Sequence, residues 1–334
     1  MIARSSPSVD LHSHVIPRRL LDAIRQSPSA WGARIEPHGA AERVVHAQGY
    51  AYPLAEEFFD PAAKIRSMDR RGLDVSVVSP APPTFFYWTD AGAAAAAARL
   101  VNDGIAEMVA THPTRLRGMA TVPMQHPELA LAELERAVRE LGFRAVELGT
   151  SVEGATLAEP RFRPVLRRCR ELDVLVFAHP YYVGAKCGME AYYLTNLIGN
   201  PWDTTVTAAN LMLSGALDEL DGIKIALAHG GGFLPYQVGR LEHGYEARPE
   251  ARASTRTRPL ELLRRFHYDS MVFHPPALRY LIDLVGSDRI ALGTDSPFDM
   301  REDHPMALID AIPGLTPRER DDVCGRTALR LLGE

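Results

Sequence analysis

Asp10-Leu11-His12-Ser13-His14, close to the start of the chain, is the stretch from which the fold is read. Two histidines one residue apart follow the apolar-leaning run Ser8-Val9-Asp10-Leu11 and can both point out from the end of a strand. Imidazole suits zinc and similar transition metals, so the pair can begin a metal site. Alone the H-x-H pattern is weak. Its weight comes from far downstream, where His179, His229 and Asp295 each close an apolar, strand-like run of their own.

Those runs belong to a regular alternation. After the first strand, Val75–Val78, Arg117–Val122, Arg144–Leu148, Val174–Ala178, Ile223–Ala228, Tyr268–Phe273 and Ile290–Gly293 read as further strands. Helical stretches separate them. Pro61 opens one that stops at Gly72, and an alanine-rich run from Ala91 continues into Leu100, Ile105 and Met108. Pro127 to Leu141 carries Leu131, Leu134, Val138 and Leu141 on one stripe, and Phe162, Val165, Leu166, Cys169 and Leu172 mark the next helix. Thr316-Pro317-Arg318-Glu319 has capping-box spacing and starts a closing helix. Eight such strands, mostly apolar on both faces, predict a parallel (β/α)8 TIM barrel. A closed barrel brings the first and last strands together; an open doubly wound sheet does not.

Two long segments interrupt the alternation, after strands one and five. Pro17 to about Asp60 is broken by Pro37, His38, Gly39, Gly49 and Pro53 and reads as a loop insertion. Tyr181 to Leu220 includes a helix around Thr204 to Leu217. Both fall on the face where the strand C-terminal ends lie, which is the catalytic face of such barrels. Phe85, Phe86, Tyr87 and Trp88 follow strand two, and they serve either as packing under a loop or as a pocket wall.

Composition sets limits. The 334 residues, 46% hydrophobic and 24% charged, fit one big α/β barrel or two ordinary domains, and the strand alternation makes it one domain spanning 1–334 with the insertion at about 17–60. A formal net charge of −5 gives no general attraction to nucleic acid or an anionic membrane, and the Arg-rich run 252–265 reads as a solvated face. Cys169, Cys187 and Cys324 are too far apart for a metal knuckle or disulfide framework, and Cys169 falls on a core stripe. With no apolar leader or spanning segment, a cytoplasmic protein is expected.

Three histidines (His12, His14 and His179) with Asp295 would satisfy one divalent ion and leave a position for water. The ion lowers that water's pKa and supplies hydroxide near neutral pH. His229 is either a further ligand or, more usefully, an acid/base beside the ion. Strand four ends Glu147-Leu148-Gly149-Thr150, with no lysine to bridge two metals, so one ion is expected. His229-Gly230-Gly231-Gly232 looks like an oxyanion loop, but no G-x-S-x-G supplies a nucleophile and no G-x-x-x-x-G-K binds phosphate. The glycines more simply let backbone pass close to a ligand.

These residues resemble the amidohydrolase superfamily, in its aminocarboxymuconate-semialdehyde decarboxylase branch. The likeness runs through Asp10-Leu11-His12-Ser13-His14, Ser67-Met68-Asp69, Val122-Pro123-Met124-Gln125, Glu140-Leu141-Gly142-Phe143, His179-Pro180, Ala228 to Gly232, Gly239-Arg240 and Leu292 to Asp295 with Pro297-Phe298. It implies a barrel with one zinc-type ion, Mn2+ or Co2+ being the other candidates, and no organic cofactor. By position it makes His12, His14, His179 and Asp295 ligands, His229 with Asp295 catalytic, and Arg240 a carboxylate anchor reaching across a homodimer. Phe298 falls among the substrate-binding positions. One departure stands out. Where members of that branch show R-x-V-R, this chain reads Arg43-Val44-Val45-His46, so either Arg43 or His46 is the anchor. The expected activity is non-oxidative decarboxylation of a small aromatic or muconate-like carboxylate. The alternative is hydrolysis of an amide, lactone or related carbonyl compound by the same metal-bound hydroxide.

Overall fold

The structure, a computed structural model, describes residues 6–181 and 188–334. Eight strands form one sheet. They are β1 (Val9–Val15), β2 (Val75–Pro80), β3 (Leu116–Ala120), β4 (Ala145–Gly149), β5 (Leu175–His179), β6 (Ile225–Leu227), β7 (Phe266–Asp269) and β8 (Ile290–Ala291). Every neighbouring pair is parallel. The sheet closes where Leu11 N donates to Leu292 O at 2.8 Å and His14 N to Ser296 O at 2.7 Å, with a parallel bridge between Ser13 and Ser296. The expected barrel is present.

Its interior is filled by alternate strand residues: Val9, Leu11, Val75, Val77, Leu175 and Phe177 share one buried cluster, joined by Leu331 and Leu332 of the closing helix Thr327–Leu332. The helices cover the outside with a second, larger apolar cluster. β1 is longer than expected, running through both histidines instead of ending at Leu11. Its register against β2 shifts between Asp10 and Ser13, where one extra residue is absorbed. A bulge of this kind re-aims the following side chains. Leu11 faces the interior with Phe177, and the bulge lets His12 pack on the same Phe177 ring at 4.9 Å.

Other elements differ from the sequence reading. β7 starts and ends earlier than Tyr268–Phe273: Met271 N turns back onto Asp269 Oδ1 at 3.1 Å and Phe273 takes a left-handed φ of 55°, so the chain leaves the sheet. The helix expected at Thr204–Leu217 runs from Asn200 to Leu213, with Pro201 near its start and Gly215 at φ 75° beyond its end. The segment 17–60 is not irregular. It holds helices Arg18–Gln26 and Pro28–Trp31 and an antiparallel sheet of Ala33–His38, Ala41–His46 and Ala51–Pro53. The two prolines read as breakers lie on its outer strands, where a missing N–H faces away from the ladder. Among the described residues no helix is long and apolar enough to cross a membrane. Cys169 and Cys324 are buried thiols; Cys187 lies outside the described residues.

Candidate metal centre

His12, His14, His179 and Asp295 converge at the strand ends, their ligand atoms all within 4.8 Å of one another. All four residues are buried. The histidines are aimed by what their other ring nitrogen binds. His12 Nδ1 donates to Asp269 Oδ2 at 2.6 Å, His14 Nδ1 to Pro80 O at 3.2 Å, and His179 Nδ1 to Pro180 O at 2.7 Å. With each Nδ1 so committed, Nε2 is the nitrogen left facing the cluster. The Nε2 atoms of His12 and His14 lie 3.0 Å apart, and Asp295 Oδ1 is 3.4 Å from the first and 3.1 Å from the second. His179 Nε2 is buried with no hydrogen-bond partner among the described residues. Such an orphaned acceptor beside two close-packed imidazoles and a carboxylate is the donor set of one divalent ion, and the residues fit it.

The electrostatics follow from burial and proximity. Burial pushes His14 down to about 4, and it pushes His179 well down with the help of neighbouring imidazole charge. Burial opposes charge on His12 as well, but Asp295 and Asp269 outweigh it and raise His12 to about 10. Asp295, disfavoured by burial, is nevertheless held well below the usual carboxylate range by His12, His14 and His229. The cluster thus keeps a carboxylate and two neutral imidazoles facing a common point.

His229 stands beside this group and outside the four converging atoms. Its Nε2 is 3.6 Å from Asp295 Oδ2, its ring centroid lies 5.0 Å from that of His179, and its side chain is 14% exposed. The glycines after it are required by space as well as by φ. At Gly230, φ 61°, a Cβ would meet Val272 Cγ1 at 2.3 Å; at Gly232 it would meet Pro201 O at 2.1 Å.

Of the other candidates, Phe298 is at the centre, its ring 5.3 Å from His14. It touches Tyr52, which stacks on His46 at 5.7 Å and places its hydroxyl 3.2 Å from His46 Nε2. His46 is buried and pushed down to about 4, so it is a neutral imidazole. Arg43 instead turns to Glu36, with Nε and Nη2 at 2.8 and 2.5 Å from Oε1. Arg240 is exposed on the helix Leu234–Ala247. Phe85, Phe86 and Tyr87 are buried and Trp88 is partly buried; the Tyr87 hydroxyl accepts from Gly149 N at 3.2 Å.

The sequence reading passed over three polar features. Glu147 lies fully buried inside the barrel, 3.8 Å from His14 Nδ1, and burial pushes its carboxyl well above the usual range. Asp269 ends β7 directly behind His12. Lys64 is 1% exposed and reaches the carbonyls of His14 and Ser296, each at 3.4 Å. The H-x-H signal had no counterpart for these, because a lone acidic or basic residue acquires meaning only from its tertiary neighbours.

The amidohydrolase family model matches residues 9–333. A 2-amino-3-carboxymuconate-6-semialdehyde decarboxylase from Dictyostelium discoideum is 32% identical over 98% of this chain and 92% of its own. A gamma-resorcylate decarboxylase from Polaromonas sp. is 33% identical over 71% of this chain and 76% of its own. Among solved structures, the apo form of IDCase from Metarhizium anisopliae superposes with a TM-score of 0.85 at 25% identity, covering 98% of this chain and 97% of that one. A dihydroxybenzoic acid decarboxylase from Polaromonas sp., holding manganese and the inhibitor 2-nitroresorcinol, gives 0.81 at 25% identity with the same coverage.

Proposed function

This chain belongs to the amidohydrolase family, and from that premise we propose that it is a metal-dependent carboxy-lyase. It removes CO2 without oxidation from a small aromatic or muconate-like carboxylate. The observation that carries the reading is the set of three Nε2 atoms and Asp295 facing one point, with His229 poised 3.6 Å from Asp295 and outside the set.

His12, His14, His179 and Asp295 would hold one ion; three imidazoles and a carboxylate suit Zn2+, with Mn2+ or Co2+ as the alternatives. When bound, the ion acts as a Lewis acid that polarises substrate oxygen. The remaining work falls to the chain. His229, protonated, donates from Nε2 to the ring or chain carbon as its bond to the carboxyl carbon breaks. That electron pair becomes the new C–H bond and CO2 departs, so no organic cofactor is needed. Asp295 Oδ2 lies 3.6 Å from that Nε2. Phe298 offers a flat apolar wall against His14 for an unsaturated substrate. Of the two candidate anchors, His46 joins that wall through Tyr52, whereas Arg43 is occupied by Glu36. Arg240, exposed on its helix, would serve as a carboxylate anchor reaching a neighbouring protomer of a homodimer. We read the chain as one cytoplasmic domain with residues 17–60 as its wall.

The test is CO2 release by metal-loaded protein from hydroxy- and amino-substituted aryl and muconate carboxylates. His229→Ala is expected to lower kcat by ~10²–10⁴-fold with the metal retained. Undiminished turnover in that variant would overturn the role of His229. No CO2 across the panel, with hydrolysis of amides or lactones, would make the protein a hydrolase on the same centre.

A further inference from the structure

We infer that Asp269 is a positioning residue that sets two site histidines at once, fixing the ligand direction of His12 and the turn that carries His229. The second half rests on the acid role proposed above for His229. Asp269 is completely buried at the end of β7 and receives four donors. Oδ2 accepts from His12 Nδ1 at 2.6 Å and from the backbone N of His229 at 2.9 Å. Oδ1 accepts from the backbone N of Gly230 at 2.7 Å and of Met271 at 3.1 Å.

A purely structural cap would stop at the amides. Gly230 and Met271 already satisfy Oδ1 and tie β7 to the turn after β6. What that account leaves over is Oδ2, shared between one imidazole N–H and the main chain of another histidine. His229 needs such a tether, because its φ of 56° is left-handed, a conformation that costs a non-glycine residue free energy unless its surroundings impose it. His12 needs it for a different reason. A carboxylate on Nδ1 fixes the tautomer and orients the ring so that Nε2 faces the cluster. One side chain therefore registers the ion's position against the acid's.

Asparagine at this position keeps the shape and removes the second acceptor. Whichever way it is flipped, its NH2 group faces N–H donors. In Asp269→Asn the dissociation constant for Zn2+, measured by competition with a chromogenic chelator, is expected to rise by about 10–100-fold. His229→Ala should leave that constant within about threefold. In metal-saturated protein, Asp269→Asn should also lower kcat, and that loss should shrink or vanish in the His229→Ala background, since the two act on one element. If Asp269→Asn binds Zn2+ as tightly as the wild type, or if the two kcat losses simply multiply, the inference fails.

A second measurement needs no folded variant at position 269. In zinc-loaded wild-type protein with ¹⁵N-labelled histidine, His12 should show a protonated Nδ1 that exchanges slowly with water. An unprotonated or freely exchanging Nδ1 would overturn the inference. The metal and NMR readouts use no substrate, so they stand or fall independently of the decarboxylase reading.

Discussion

Two charged clusters are buried at the same end of the barrel, and they are completed in different ways. One is the set His12, His14, His179 and Asp295. The other joins the 17–60 segment to the barrel around Glu57. There the carboxylate receives Ser67 Oγ at 2.7 Å, Arg71 Nη1 at 3.2 Å, Lys64 Nζ at 3.4 Å and the Ser296 hydroxyl. Lys64 in turn reaches the His14 and Ser296 carbonyls. In this cluster charge meets opposite charge and both carboxylate oxygens have partners. In the first, three imidazoles crowd one carboxylate, and among the described residues His179 Nε2 has no partner. Arg71 Nε is also unmet, but it is a donor; an unmet buried acceptor beside a carboxylate is what suits a cation, and that marks the imidazole cluster as the one fitted to an ion. The two are adjacent in sequence as well, since Ser296 follows Asp295.

If that contrast is right, damage to the two clusters should have opposite signatures. The largest effect belongs to the ligand cluster. Asp295→Ala should reduce bound metal from one equivalent to none, by elemental analysis, and abolish measurable CO2 release. Stripping the ion with a chelator should lower stability as well, by about 4 kcal/mol if the ion was present at a thousand times its dissociation constant. Restoring the metal should restore both in the wild type and neither in the variant. A metal-free Asp295→Ala protein that still turns over would dissolve the contrast.

The paired cluster should do the reverse. Lys64→Met leaves Glu57 buried with Arg71 as its remaining cation, and removing one member of a buried pair costs about 3–5 kcal/mol. The low end is expected because Arg71 remains. Urea titration should register the loss while metal stoichiometry stays at one. A variant that loses its metal and keeps its stability would mean that Lys64 belongs to the other cluster.

Acid should find the paired cluster too. Burial disfavours the Glu57 carboxylate, yet Lys64, Ser296, Arg71 and Ser67 pull it down from 4.5 to about 2. A carboxyl depressed in the folded state contributes stability above its unfolded value. That contribution is lost as pH falls from about 4.5 toward about 2. At about 1.4 kcal/mol per unit, the most it can supply is on the order of 3 kcal/mol. Urea midpoints at pH 5, 4 and 3 should therefore converge between wild type and Glu57→Gln. Parallel curves would show that Glu57 does not sense the acid.

The ligand cluster was legible in the sequence and the paired one was not, for a physical reason. His12, His14, His179, His229 and Asp295 each end an apolar strand run, and barrel closure then forces such ends together. Lys64, Ser67 and Arg71 sit on a helix whose period gives no sign that its charged face is covered; Glu57 of the 17–60 segment and Ser296 of the last strand end cover it. That segment was itself misread, because Pro37 and Pro53 look like breakers until they are seen on edge strands. Asp269 was missed through a register error. Placing β7 at Tyr268–Phe273 makes Asp269 an ordinary second residue, whereas it is the strand's last, the position that faces the centre. Gly72 and the capping box at Thr316, being local signals, were read correctly.

The smallest effect separates two residues that the sequence could not. Arg43 and His46 share one strand of the 17–60 segment, and either fitted the role of anchor. Arg43 is 39% exposed and paired with Glu36, so Arg43→Ala should cost under about 1 kcal/mol of stability and leave KM within about twofold. His46 is 2% exposed and continues through Tyr52 and Phe298 to His14. His46→Leu keeps the bulk but removes the hydrogen bond to the Tyr52 hydroxyl, an interaction typically worth about 1 kcal/mol. KM for the substrate should rise about fivefold in that variant, with kcat nearly unchanged, as expected for a residue that binds ground and transition states alike. The opposite pattern, a KM that answers to Arg43 and ignores His46, would require the Arg43–Glu36 pair to open when substrate enters. The wall of the site would then be the mobile region and the metal cluster the fixed one.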